Sequence, residues 1–121
     1  MLKHMRNVLA AVALLGVAAC ESLITGGPLI REGEPTGIIE IANGSSNVVT
    51  SVLISSCEAS TYGLNRLPEG VTIAPRTYYR FTVSAGCWDV MAGYGTATGY
   101  SAATERMQVQ TGGGVRYTVT D

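Results

Sequence analysis

The acids are the first residues in this 121-residue chain that could do chemistry. Asp89 stands in Gly86-Cys87-Trp88-Asp89, and Glu40, Glu58 or Glu105 would have to converge on it to make an acid–base or glycosidase pair. Nucleophilic catalysis has little to draw on, because the only histidine and the only lysine are His4 and Lys3, leaving no such base further along. Cys57 and Cys87 are far from Cys-x-x-Cys spacing and have no histidine or acid cluster near them, which argues against a redox pair and against a metal centre. We therefore expect no catalytic residue, no metal and no cofactor. Asp89 should point away from Trp88 and either accept loop amides or pair with an arginine, while Trp88 reads as a core residue. Two glycine-rich stretches remain. Residues 112–114 lead into a strand and not a helix, so they read as a hairpin turn and not a phosphate loop. Residues 93–101 read as an exposed loop in which Tyr94 and Tyr100, among small polar residues, have the composition of an adaptable binding surface, with Tyr62 a weaker candidate.

These residues follow an N-terminal segment of another kind. Lys3, His4 and Arg6 precede an apolar run over residues 8–17 and then Ala18 and Ala19, the layout of a secretory signal. A ten-residue helix is only about 15 Å long, half the hydrocarbon thickness of a bilayer, which argues against a permanent span. Val17-Ala18-Ala19-Cys20 resembles the lipobox of bacterial lipoproteins. That resemblance implies cleavage before Cys20 and lipidation of Cys20, with palmitate among the acyl groups, so that the lipid holds the protein to the membrane. Ordinary cleavage after Ala19 also suits these small residues and would leave Cys20 a plain thiol. By the sorting rule of enteric-type bacteria, Glu21 in place of Asp points to the outer membrane, on its periplasmic or surface face.

The lipobox resemblance also resolves the odd cysteine count. With Cys20 lipidated, Cys57 and Cys87 are left as a pair in an oxidising compartment, where a disulfide is the expected state. Beyond residue 20 there are six arginines against nine acids, a formal charge of −3. That balance offers no basic stripe for nucleic acid and no polybasic patch for anionic lipid.

Three segments follow from this: a signal peptide over 1–19, a lipid-anchored flexible tether over 20–36 rich in Gly, Pro and acid, and one domain over 37–121. Leu23, Ile24, Leu29 and Ile30 are apolar exceptions in the tether that suit packing on the domain or the membrane. From residue 37 the pattern is that of strands: Ile39 and Ile41 alternate with Glu40, and residues 43–47 look like the turn of a hairpin leading into 48–56. Val48, Thr50, Val52 and Ile54 share one face of that second strand. A short strand at 71–73, a turn at 74–76, an aromatic strand with Tyr79, Phe81 and Val83 inward, and a strand with Trp88, Val90 and Ala92 inward come next. A final hairpin joins 104–111 to 115–120 through 112–114. The expected fold is all-β, a small antiparallel sandwich or barrel of about seven short strands after the signal helix and tether.

Residues 37–94 also resemble a loosely defined group of small bacterial exported domains, through Ser56-Cys57, Ala74-Pro75-Arg76-Thr77, Tyr79-Arg80-Phe81 and Gly86-Cys87-Trp88-Asp89. The resemblance implies a fold and an envelope location but no activity. Arg76 departs from it, standing where a glycine is common after the turn proline. The expected function is a noncatalytic interaction or assembly module with an envelope protein as partner; binding of a small ligand or surface polysaccharide near Tyr94 and Tyr100 is the alternative, ahead of a histidine-free enzyme.

Overall fold

A computed structural model describes residues 27–96 and 99–121. The expected signal helix and Cys20 lie outside the described residues. The domain is all-β, with strands β1 (Thr36–Asn43), β2 (Ser51–Ser56), β3 (Tyr78–Ser84), β4 (Gly86–Thr96), β5 (Gly99–Val109) and β6 (Gly114–Val119). They form two three-stranded sheets, ordered β3-β1-β6 and β2-β4-β5. Among the described residues the strands number six and not seven, since the expected strand at 71–73 reduces to a single bridge between Val49 and Ile73.

Alternation places the core as the sequence predicts. Ile39 and Ile41 of β1, Phe81 and Val83 of β3, and Trp88, Val90 and Ala92 of β4 all face inward and are buried, meeting Val52, Ile54 and Val109. Each apolar side chain of this size contributes about 1.5–3 kcal/mol when withdrawn from water. The alternation fails once, before β2: Val49 is fully buried while Val48 is 42 % exposed. Val49 makes its own bridge to Ile73, and the inward face passes to Val52 and Ile54 only after β2 begins at Ser51.

Both expected end-to-end hairpins are absent, because β1 and β2 lie in different sheets, as do β5 and β6. At the first, Asn43 is buried and directs the crossing. Its amide donates to the carbonyls of Asn47 and Ile73 at 2.7 and 2.8 Å, and its oxygen accepts from the Ser45 N–H and hydroxyl at 3.0 and 2.6 Å. A buried amide satisfied four times over holds the turn against the partner segment around Ile73 and sends the chain across the core. At the second, residues 112–114 do turn the chain, but Gly112 donates to the Thr36 carbonyl and Ile38 to that of Gly113. β6 therefore runs parallel to β1, against the purely antiparallel expectation. The close approach needs Gly37: a Cβ there would lie 2.5 Å from Val109 Cγ1 and 2.6 Å from the Gln110 oxygen.

The stretch expected as a loop at 93–101 is mostly strand. β4 and β5 stay paired through Tyr94 with Ser101, Gly95 with Tyr100 and Thr96 with Gly99, so only residues 97–98 remain between them, outside the described residues. Tyr and Thr favour extended backbone, and continuous cross-strand pairing outweighs the scattered glycines.

Part of the segment expected as a tether packs on the domain. Leu29 packs on the core, its carbonyl accepts the Ser84 N–H at 2.8 Å, and Arg31 N–H donates to the Ser84 hydroxyl at 2.7 Å. Pro35 accepts from Ala85, and Thr36 already opens β1. Residues 27–36 thus belong to the domain, because Leu29 gains burial and a strand end gains an acceptor. The rest of the expected tether, 20–26, lies outside the described residues. Arg76 takes the left-handed conformation, φ 65°, that a glycine would occupy without cost. Its N–H donates to Asn43 and its guanidinium to the Gly44 carbonyl, which offsets the roughly 1–2 kcal/mol of backbone strain.

Candidate functional site

The two cysteines beyond residue 20 form a disulfide between the turn after β2 and the start of β4, with Cα atoms 5.5 Å apart and the Cys57 N–H donating to the Cys87 carbonyl. Trp88, next along, is fully buried; its Nε1–H donates to the Ser84 carbonyl at 2.8 Å and the Arg31 guanidinium lies 5.1 Å from the ring centre. Trp88 is accordingly a structural residue beside the bridge. An open cleft of about 540 Å³ runs along this end, lined by Pro28, Arg31, Cys57, Glu58 and Cys87.

The acids do not assemble into a pair. Asp89 points to the outer face of β2-β4-β5, where Arg106 of β5 holds both its oxygens at 2.9 and 3.1 Å. This is the arginine pairing expected as one alternative, and the hydrogen bond that Arg106 donates to Asp89 raises the Arg106 pKa. Glu40 lies on the other sheet. Arg80 of β3 and Arg116 of β6 are its register neighbours on either side, and their Nε atoms reach its two oxygens at 3.0 and 2.5 Å. Although it faces outward, the Glu40 side chain is only 10 % exposed beneath these arginines. Glu105 stands opposite Val90, on the other face of β5 from Arg106, and Glu58 is exposed beside the disulfide cleft. Among the described residues no group of three or more His, Cys, Asp or Glu side chains could hold a metal.

The two tyrosines proposed for binding take different register positions. Tyr94, opposite Ser101, is half-buried and packs against the core, while Tyr100 stands opposite Gly95. Tyr62 is exposed in the loop after the disulfide.

Sequence reasoning missed two arrangements. One is the lateral cover of β2: Asn65 Oδ1 accepts the Val52 N–H, the Arg66 N–H donates to Val52, and the Arg66 guanidinium donates to the carbonyls of Ile54 and Gly27. No spacing signal announces it. The other is the Arg80–Glu40–Arg116 row. Outward parity of Glu40 and Arg80 was readable, but the row depends on register between strands 40 and 76 residues apart.

The hydrogen bonds from Arg116 and then Arg80 lower the Glu40 pKa below the usual glutamate value of 4.5. A depressed carboxylate stabilises the fold fully above that value and loses the contribution as pH falls through the lower folded-state pKa. Glu40→Gln should therefore reduce the urea midpoint at pH 7, with the gap to the unaltered chain closing on acidification below pH 4.5. A gap that stays constant across that range would show that Glu40 is not held ionised by its neighbours. Asp121, lowered by hydrogen bonds from the Ser46 N–H and hydroxyl, titrates in both chains alike.

Among the described residues no helix is long and apolar enough to cross a membrane. Comparison with protein-family models, with curated proteins and with solved structures returned no match.

Proposed function

We propose that this chain is a lipid-anchored, noncatalytic interaction module of the bacterial cell envelope. The observation that carries the reading is the polarity of the sandwich. Residues 27–36, the turn at 84–86, the disulfide and the turn at 110–114 share one end. The opposite end carries residues 43–49, the turn at 74–77, the β4–β5 tip and Asp121. A chain held at Cys20 has six residues, 21–26, before the domain surface begins at Gly27, an extended reach of about 20–25 Å. The disulfide end would then face the membrane, while the far end and both outer sheet faces remain accessible. The arginine-clamped state of Glu40 and Asp89 fits a surface that presents contacts better than one that moves protons.

The intact mass of the membrane-fraction protein, with and without reductant, tests this. The expected species begins at Cys20, carries added acyl mass and gains about 2 Da on reduction of one disulfide. An unacylated or uncleaved species would sink the anchored reading.

A further inference from the structure

The outer face of β3-β1-β6 carries a cluster of arginines. Three of the six arginines beyond residue 20 are on or beside it: Arg80, Arg116, and Arg76 in the turn before β3. Arg76, Tyr78, Arg116 and Thr118 line one shallow depression at the far end. The Arg80 guanidinium lies 4.7 Å from the Tyr78 ring centre, and Tyr78 is 57 % exposed. Of the acids, Glu40 is already shared between two arginines and Asp121 is turned to Ser46.

This face adjoins a sheet edge whose backbone phase can be worked out. The Asn43 N–H donates to the Thr77 carbonyl at 2.9 Å, and the same register continues through Ile41 with Tyr79 and Ile39 with Phe81. In an antiparallel pair, alternate residues turn their N–H and C=O toward the partner and the residues between turn them away. Tyr79, Phe81 and Val83, with the Thr77 carbonyl, therefore serve β1, and Tyr78, Arg80, Thr82 and Ser84 face the other side. The Ser84 N–H bears this out, since it is taken from that side by the Leu29 carbonyl. Among the described residues β3 pairs with β1 alone and is an edge strand, and no backbone hydrogen bond from outside the sheet reaches the N–H groups of Tyr78, Arg80 or Thr82. The edge from Tyr78 to Thr82 is about 13 Å long at strand rise, and its edge-facing residues are the ones whose side chains stand on the arginine face.

We infer that this edge of β3 accepts an extended acidic segment of a partner protein as a fourth strand, with a partner carboxylate beside Arg80. The inference rests on the interaction-module reading and names the chemistry of the partner. Charge selects the occupant. Across the sheet the row reads Arg116, Glu40, Arg80, and a carboxylate in the next position continues the alternation at the few-ångström spacing of cross-strand pairs. A second copy of β3 pairing about the same residue would set Arg80 against Arg80, a like-charge contact that edge strands use to avoid self-association.

The test is a titration of the full ¹⁵N-labelled chain in detergent micelles with a seven-residue peptide alternating glutamate and valine, and with its lysine counterpart. The glutamate peptide should shift and protect the amides of Tyr78, Arg80 and Thr82. Arg80→Glu should weaken it at least tenfold and make the lysine peptide the better ligand. Thr82→Pro, which removes an edge N–H without touching the ladder to β1, should abolish binding with the unfolding midpoint unchanged. Equal binding of the two peptides, retained binding in Thr82→Pro, or no shift at these amides up to roughly 10 mM would overturn the inference. Dextran sulfate binding that survives Thr82→Pro, with no peptide binding, would make the face a simple anion surface and overturn it too. If Thr82→Pro does not fold, the charge swap at Arg80 decides alone. An acylated chain that ignores the peptide sinks this inference and leaves the anchored reading, whereas an unacylated chain that binds it does the reverse.

Discussion

Trp88→Ala should cost about 3–5 kcal/mol, the range for truncating a large buried aromatic. The ring is fully buried, so little collapse around the vacancy is available, and the Ser84 carbonyl loses the indole N–H that satisfies it. A domain of this size has roughly 5–14 kcal/mol in total, so the variant should sit near its folding limit at 25 °C. Urea unfolding followed by far-ultraviolet circular dichroism measures this directly, since Trp88 is the only tryptophan and tryptophan fluorescence disappears with it. Trp88→Phe supplies the control. It retains most of the apolar volume but not the N–H, and should fall between the unaltered chain and Trp88→Ala. A loss below about 1 kcal/mol for Trp88→Ala would mean that the centre of the core lies elsewhere.

The second large effect is expected from the disulfide. Cys57 and Cys87 are 30 residues apart, and closing a loop of that length restricts the unfolded chain by about 3–4 kcal/mol in the entropy model. Replacing both cysteines with serine should lower stability by that amount and move the thermal midpoint down by roughly 15–25 °C. The same change produced by reductant on the unaltered chain would locate the effect in the bond and not in the serines. A shift of only a few degrees would mean that the unfolded chain is already compact without the bond. Because Cys87 and Trp88 are neighbours, the losses from the bridge and the ring should not add.

Much of the fold could be read from the chain, and the residues say why. Alternation is local: Ile39 and Ile41, Phe81 and Val83, and Trp88 and Val90 were placed inward by parity and are inward. Partner choice is not local. Residues 43–47 have a composition that serves a hairpin or a crossover equally well, and burial of Asn43 against Ile73, thirty residues on, decides between them. The three glycines at 112–114 make a turn in either case, but its direction was set by the Thr36 and Ile38 end of β1. Glycine content made 93–101 look like a loop because each glycine was weighed alone, without the cross-strand partner that keeps it extended. Arg76 was identified as a departure at the turn, and its left-handed backbone is what a glycine there would accommodate. Pairing of Asp89 with an arginine was among the expectations; the clamp on Glu40 was not, because it needs the register of three strands at once.

The parallel pairing of β1 with β6 bears on how the chain would acquire its structure if it emerges from a membrane pore N-terminus first. β1 is the first strand in the chain and the middle strand of its sheet, so it leaves the pore early and waits with both flanks bare until β3 arrives, some forty residues later. Its second flank is filled only when residues 114–119 follow. By then β2, β4 and β5 have all passed and can pair among themselves, closing the 57–87 bond before the other layer is complete. Assembly is thus staged by the order of emergence, with the long-separation strand as its last and slowest step. Until β3 arrives β1 is an unprotected apolar segment, the period in which a holding chaperone would be most needed.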